Sequence, residues 1–196
     1  MIGFLTGSLI EKSPTQVVLD VSGIGYEIAI PLSTFEKLTS TNERCALFTH
    51  LHVREDVLQL YGFATKDEKQ LFQHLISVTG VGPKLALSVL SGCTVEGFCR
   101  YIQNNEIASL TAIPGIGKKT AERLVMELRD RLAHFKPAES GRARTKVDRV
   151  EEEAILALVS LGYPRAAAEK ALAAVIAEGQ GGLAVEDLIK QALRRI

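Results

Sequence analysis

Apolar and polar positions alternate along the first third of the chain, and the period then lengthens to that of a helix. Up to about residue 63, "MIGFLTGSLI", "TQVVLDVSGIGYEIAIPL" and "RCALFTHLHVREDVLQLYGF" are β-branched and aromatic runs cut by Ser-Pro and Ser-Gly breaks. Five or so short strands are too few for a sandwich. A small closed barrel of the OB kind is the economical solution, because closure leaves no long edge unpaired. From Lys66, "KDEKQLFQHLISV" sets Leu71, Phe72, Leu75, Ile76 and Val78 along one helical face, and the helical pattern continues to about Phe135. "KPAESGRARTKVDR" then brings Pro, Ser, Gly and charge with hardly an apolar anchor, which reads as a linker. The remaining stretch divides into three helical pieces at Gly162-Tyr163-Pro164 and at Gly179 to Gly182. Three helices of this length bury a core of marginal size, so the pattern predicts a weakly stable bundle with an adhesive face.

Within the helical region one phrase is written twice. "VTGVGPKLALSVL" starts at Val78 and "IPGIGKKTAERLV" at Ile113, and a shift of 35 lays Gly80 on Gly115, Gly82 on Gly117, Lys84 on Lys119 and Ala86 on Ala121. A repeat this short is a supersecondary unit: helix, apolar-Gly-apolar-Gly turn, second helix starting at Pro83 or Lys118. Pro suits the first helical position. Glycine permits backbone angles other residues resist and lets another molecule approach the main chain. A turn of this kind leaves several N–H groups without partners at the positive end of a helix dipole, a ready anion site. Lys84, Lys118 and Lys119 fall on the first helical turn and Arg123 one turn further on. Such a site grips phosphate and ignores base identity.

A single Gly-x-Gly is as readily a plain helix–helix turn; two lysine-bearing copies at fixed spacing favour phosphate binding. Other phosphate motifs do not fit. Walker A needs a Gly separated by four residues from Gly-Lys-Ser/Thr, but position 112 is Ala and Lys118 is followed by Lys119. A dinucleotide fingerprint needs a preceding strand and a third glycine, which neither copy has. The sequence therefore predicts no ATP site and no cofactor.

Charge localises the reading. The 196 residues carry 23 basic and 23 acidic groups, so no global field draws the chain to nucleic acid. The regional balance is 4 basic to 7 acidic over residues 1–64, 10 to 7 over 65–136 and 9 to 9 over 137–196. Only the segment holding both repeats is net basic. Cys45, Cys93 and Cys99 lack CxxC spacing and read as reduced thiols rather than disulfides or a zinc ribbon. The sequence has no run resembling a membrane span, and its opening reads as strand rather than leader, so a cytoplasmic location is expected.

The paired units look like helix-hairpin-helix motifs. Barrel, tandem hairpins, linker and small helical domain in this order, with the opening "MIGFLTG" and the late "LGY", resemble the RuvA family, Holliday-junction-binding subunits of the bacterial branch-migration machinery. The expected architecture is α+β and multidomain: an OB-fold β-barrel at 1–64, a tandem helix-hairpin-helix domain at 65–136, a linker at 137–147 and a three-helix bundle at 148–196.

The resemblance changes the reading of Arg54-Glu55-Asp56, the tip of the hairpin "LHVREDVLQLYGF". By itself the tip is a charged turn that keeps a hairpin soluble. In the family the matching acidic pair, Glu55 and Asp56 here, forms a pin at the centre of a four-fold tetramer, which sometimes pairs into an octamer. Two carboxylates from each of four chains would repel phosphates where duplex arms meet, while the hairpins hold each arm. That combination favours an open, square junction, with Arg54 near the crossover. The resemblance also implies a RuvB ATPase motor docked on the C-terminal bundle, with Leu158, Leu161, Tyr163 and Leu193 as candidates, and association with the RuvC nuclease. Periodicity alone assigns most of those four to the bundle core.

Three rival readings are weaker. Glu55 and Asp56 with His50 and His52 could ligate a nuclease metal, but adjacent strand residues point to opposite faces. A helix-hairpin-helix glycosylase carries Gly-Pro-Asp where this chain has Gly82-Pro83-Lys84. An RNA-binding barrel needs stacking aromatics, and Tyr26, Tyr61 and Phe63 are too few. His74 and His134 read as surface or packing residues.

Overall fold

A computed structural model describes residues 1–55, 57–133, 135, 146–176 and 184–195. The chain divides into two compact units, Met1–Pro137 and Ala138–Ile196.

In the first unit, strands β1 (Phe4–Lys12), β2 (Gln16–Val21), β3 (Ile24–Ala29), β4 (Arg44–Val53) and β5 (Leu58–Phe63) close into a barrel in the order β1-β2-β3-β5-β4. Neighbours are antiparallel except β3 and β5, which run parallel with Ile28 opposite Leu60. The period-two pattern sends Leu5, Leu9, Val17, Leu19, Ile28 and Leu47 into the barrel core. Ser22 and Gly23 turn β2 into β3 at φ 56° and 88°, and Asp20 Oδ1 accepts from Gly23 N at 2.7 Å. Two successive left-handed residues match the right-handed twist of the flanking strands.

One element lies outside the expected all-strand reading. Helix α1 (Leu32–Lys37) bridges β3 and β4, with Phe35 against the barrel core. Six residues are too few for a helical period to show in the sequence.

Five helices follow: α2 (Lys66–Ile76), α3 (Pro83–Gly92), α4 (Val95–Gln103), α5 (Ile107–Thr111) and α6 (Lys118–Ala133). Thr65 caps α2 in a capping box with Glu68, which fixes where strand gives way to helix. The helical core includes Leu71, Phe72, Leu75, Val89, Phe98, Ile102, Leu124 and Leu128, together with Tyr61 and Phe63 of the barrel. Phe72 is the join, its ring centroid 4.9 Å from Phe63, 5.0 Å from Tyr61 and 5.5 Å from His50. Burying such a ring contributes roughly 1.5–3 kcal/mol. The barrel and the helices therefore share a core within one unit.

The second unit holds α7 (Lys146–Ser160), α8 (Arg165–Val175) and α9 (Val185–Leu193) around Ala154, Leu158, Ala168, Ala171, Leu172, Val175, Leu188 and Ala192. Four of those eight are alanines, so the helices approach closely and the buried area stays small. Gly162 at φ 96° ends α7: its N–H donates to Val159 O at 3.0 Å and that of Tyr163 to Leu158 O at 3.2 Å. This is the Schellman pattern, which packs the residue after the glycine against the helix it closes. Helix α7 begins two residues inside the expected linker 137–147; residues 137–145 and the Gly179 to Gly182 break lie outside the described residues.

Burial pushes the Cys93 thiol up to about 11 and Cys99 to about 12, and raises Cys45 as well, so all three free thiols stay protonated near neutrality. No helix among the described residues is long and apolar enough to cross a membrane.

Candidate nucleic-acid interface

The twin phrases fold into twin turns, one between α2 and α3 and one between α5 and α6. In the first, Val78 N donates to Leu75 O (3.1 Å), Val81 N to Val78 O (3.0 Å) and Ala86 N to Gly82 O (3.0 Å). The second repeats every bond 35 residues later: Ile113 N to Leu110 O (3.2 Å), Ile116 N to Ile113 O (3.1 Å) and Ala121 N to Gly117 O (2.9 Å). Gly80 and Gly115 sit at φ 86° and 91°, a conformation that costs an L side chain about 1–2 kcal/mol. The apolar positions of the motif are its anchors: Val78, Val81, Ile113 and Ile116 are each at most 5% exposed.

The anchors leave the second glycines facing outward. A side chain built on Gly82 or Gly117 would meet no atom within 4 Å, and neither residue is left-handed. Among the described residues nothing accepts a hydrogen bond from the amides of Gly82, Lys84, Gly117, Lys118 or Lys119. These are the orphan donors of two helix starts, of α3 with 10 residues and α6 with 16. Lys84, Lys118 and Lys119 are exposed, and none is ion-paired among the described residues. Each turn thus offers free amides, a helix dipole and uncommitted ammonium groups to an anion.

The two turns brace each other. Arg123 Nη1 on α6 donates to Thr79 O in the first turn at 2.9 Å and lies 3.3 Å from where a Gly80 Cβ would stand. In return Leu85 Cδ1 on α3 lies 3.0 Å from the corresponding position on Gly115. Arg131 Nη1, two turns along α6, reaches Ser77 Oγ at 2.9 Å. Arg123, expected only as a phosphate contact, has one donor engaged inside the protein while its side chain stays exposed. Thr79 and Leu85 carry no sequence signal, since their roles come from the other repeat.

At the far end of β4 and β5, Arg54 and Val57 exchange backbone hydrogen bonds at 2.8 and 3.4 Å, closing the tip expected for the acidic pin. Arg54 and Glu55 are exposed; Asp56 lies outside the described residues. His50 and His52 turn toward Phe72 and Tyr61, at 5.5 and 6.3 Å between ring centroids. Burial, then the neighbouring His52 and Lys69, hold His50 below its ordinary value. No cluster of three metal-ligating side chains occurs among the described residues. His74 packs edge-on against Phe135 at 5.8 Å, and His134 lies outside the described residues.

The four docking candidates of the second unit separate. Leu158 is fully buried in the bundle core, which corrects its expected place on a docking face. Tyr163 is half-buried against that core, held by the Gly162 cap. Leu161 and Leu193 remain outside at 62% and 38% exposure, joined by Leu156 at 51% and Val159 at 39%, which the sequence reading did not single out. Their signal was present: on α7 they fall off the stripe set by Ala154 and Leu158.

Residues 1–62 match the RuvA N-terminal domain family, residues 72–130 the SAM-like helix-hairpin-helix tandem family, and residues 149–196 the RuvA C-terminal domain family. The Holliday junction branch migration complex subunit RuvA of Shewanella frigidimarina is 48% identical over 205 residues, covering 99% of this chain and 98% of its own length. The chain belongs to the RuvA family. The subunit of the same name from Thioalkalivibrio sulfidiphilus is 48% identical over 200 residues, and that from Shewanella sediminis 45% over 205, each with the same coverage.

Because Gly82 and Gly117 have free space and ordinary backbone angles, Gly82→Ala and Gly117→Ala should fold with stability within about 1 kcal/mol of wild type. If these turns grip phosphate through their amides, the added methyls stand in its path, and DNA affinity should fall about tenfold or more in the double variant, a loss of about 1.4 kcal/mol. Thermal melts and fluorescence-anisotropy titrations check the two halves; unchanged affinity would remove these turns from the interface.

Proposed function

We propose that this chain binds four-way DNA junctions by their shape, holds them open and square, and presents them to a partner ATPase for branch migration in recombination and repair. The observation that carries the reading is the pair of outward-facing, mutually braced turns with unpaired amides and uncommitted lysines. Gly80, Gly82, Gly115 and Gly117 shape the grip, and Lys84, Lys118, Lys119 and Arg123 add charge. Main-chain amides and ammonium groups recognise the sugar-phosphate backbone, so the grip serves any sequence.

Shape selection comes from the other pole of the unit. Four chains around a junction bring their Glu55 and Asp56 tips to its centre, and a second tetramer can close the opposite face. The carboxylates repel phosphates at the crossover while the turns hold the arms, and Arg54 meets the backbone beside them. Energy comes from elsewhere: the relatives are named as subunits of a branch migration complex, which supports RuvB as the motor, and RuvC is the nuclease that then acts on the open junction. The chain is an accessory subunit rather than an enzyme, working in the cytoplasm where its thiols stay reduced.

Titrating the protein against a synthetic four-way junction, a matched duplex and a lesion-bearing duplex tests the reading, with tight junction binding and no cleavage expected. Product formation would replace it with a repair enzyme. Reversing charge with Lys84→Glu and Lys119→Glu should weaken binding to every DNA and flatten the salt dependence by about one unit of slope per lost phosphate contact. In the same titration, Glu55→Gln with Asp56→Gln should keep or tighten binding while lowering the preference for junctions. A folded double variant with full preference would dismiss the acidic tip.

For the bundle, Leu161→Glu should leave folding intact and abolish capture of the ATPase in a pull-down with purified partner. Leu158→Ala instead should cost the bundle about 2–5 kcal/mol by opening a cavity. An intact partner interaction in Leu161→Glu would move the docking face elsewhere.

A further inference from the structure

Glu68 has no role in the DNA contacts, yet it is the only acidic side chain among the buried polar residues described, 4% exposed. Four donors converge on it. Oε2 accepts from Thr34 Oγ1 at 3.2 Å, Ala64 N at 3.0 Å and Thr65 N at 3.2 Å, and Oε1 accepts from Lys37 Nζ at 2.9 Å. A capping box accounts for the Thr65 bond alone. The Thr34 and Lys37 bonds come from α1, the barrel's own helix, and the Ala64 bond from the chain where β5 gives way to α2. Thr34 is itself fully buried, and its Oγ1 also accepts from Ala64 N at 3.0 Å.

The Phe72 contact joining barrel to helices is apolar, and apolar contact is largely indifferent to rotation. A buried carboxylate with its acceptors filled is not: any change in angle strips donors from a charge that cannot reach water. Among the described residues three further polar ties run in parallel, Leu32 N to Ser91 Oγ at 3.0 Å, Lys69 Nζ to Gly3 O at 3.0 Å and Gln73 Nε2 with His50 Nδ1 at 3.4 Å, but Ser91, Lys69 and Gln73 lie in exposed or partly exposed surroundings. The angular constraint resides at Glu68.

Resting on the proposed function, we propose that Glu68 is a positioning residue for junction selectivity: it fixes the angle between the barrel that carries the Arg54–Glu55 tip and the helices that carry the paired turns. Duplex binding needs the turns alone. Junction recognition needs turns and tip in one fixed relation, so loosening the clamp removes selectivity before it removes affinity.

The test pairs DNA binding with a distance measurement that needs no DNA. Spin labels at Ala46→Cys on the barrel and Met126→Cys on α6, with Cys45, Cys93 and Cys99 replaced by Ala and the labelled chain diluted in unlabelled chain so that only distances within one chain are read, should give a narrow distance distribution, and adding Glu68→Ala should broaden it. Folded Glu68→Ala should bind duplex with unchanged affinity and salt slope while the junction-to-duplex preference falls at least about tenfold. Glu68→Gln keeps a carbonyl acceptor for Thr34 and the two amides, and should retain most of the preference. If Glu68→Ala does not fold, Thr34→Val combined with Lys37→Met removes the α1 donors and is read the same way. An unchanged distribution, an undiminished preference, or equal losses for duplex and junction would overturn the proposal. A wild-type protein with no junction preference would instead overturn the proposed function and the selectivity role with it, while the distance distributions would still report whether the clamp exists.

Discussion

An α-helix cannot satisfy its own first amides, and this chain arranges two helix starts so that their amides face solvent rather than protein. Everything distinctive in the N-terminal unit follows from supporting that arrangement. Left-handed Gly80 and Gly115 bend the chain sharply enough to aim the amides outward. Buried Val81 and Ile116 hold each bend down from within, so the exposed groups sit on a fixed base. Open donors cost little while water serves them and gain when an anion replaces it.

Two such sites act together only if their separation is fixed, and the crossed contacts provide this. Arg123 of the second motif reaches Thr79 of the first, and Leu85 of the first packs on Gly115 of the second. Both span the approximate symmetry of the repeat without themselves obeying it, since Leu85 is matched by Thr120 and Arg123 by Ser88. The shared core around Phe72 extends the same fixity to the barrel. The net-basic turns and the exposed acidic tip therefore belong to one body.

Much of this was legible in the sequence because it was local. The repeat announced itself through glycine spacing, the barrel through alternation, and the bundle through helical period and the Gly162 break. What escaped reading was set by contacts between distant segments. Helix α1 is too short to show a period, and the union of barrel and helices depends on Tyr61 and Phe63 facing Phe72. The bundle's surface was only half readable, because a leucine on a three-helix core and a leucine beside it look alike until the helices are packed; Leu158 went in and Leu161 stayed out. Periodicity alone assigns most of the four candidates to the core, which holds for Leu158 and fails for Leu161 and Leu193.

Selectivity is a difference of affinities, and backbone contacts contribute equally to right and wrong partners. On the proposed reading, discrimination must come from repulsion at the exposed tip. One solvated carboxylate near one phosphate is worth only about 1 kcal/mol at 4 Å in water, and the effect fades beyond a screening length of about 8 Å at physiological salt. A lone tip is therefore a poor discriminator; several gathered at one point, each held to within a few ångströms, are a good one. This accounts for tying the tip to the turns through a shared core and a filled buried carboxylate. On the same reading, recruiting a motor needs no such precision, and the exposed Leu161 and Leu193 belong to a separate compact unit.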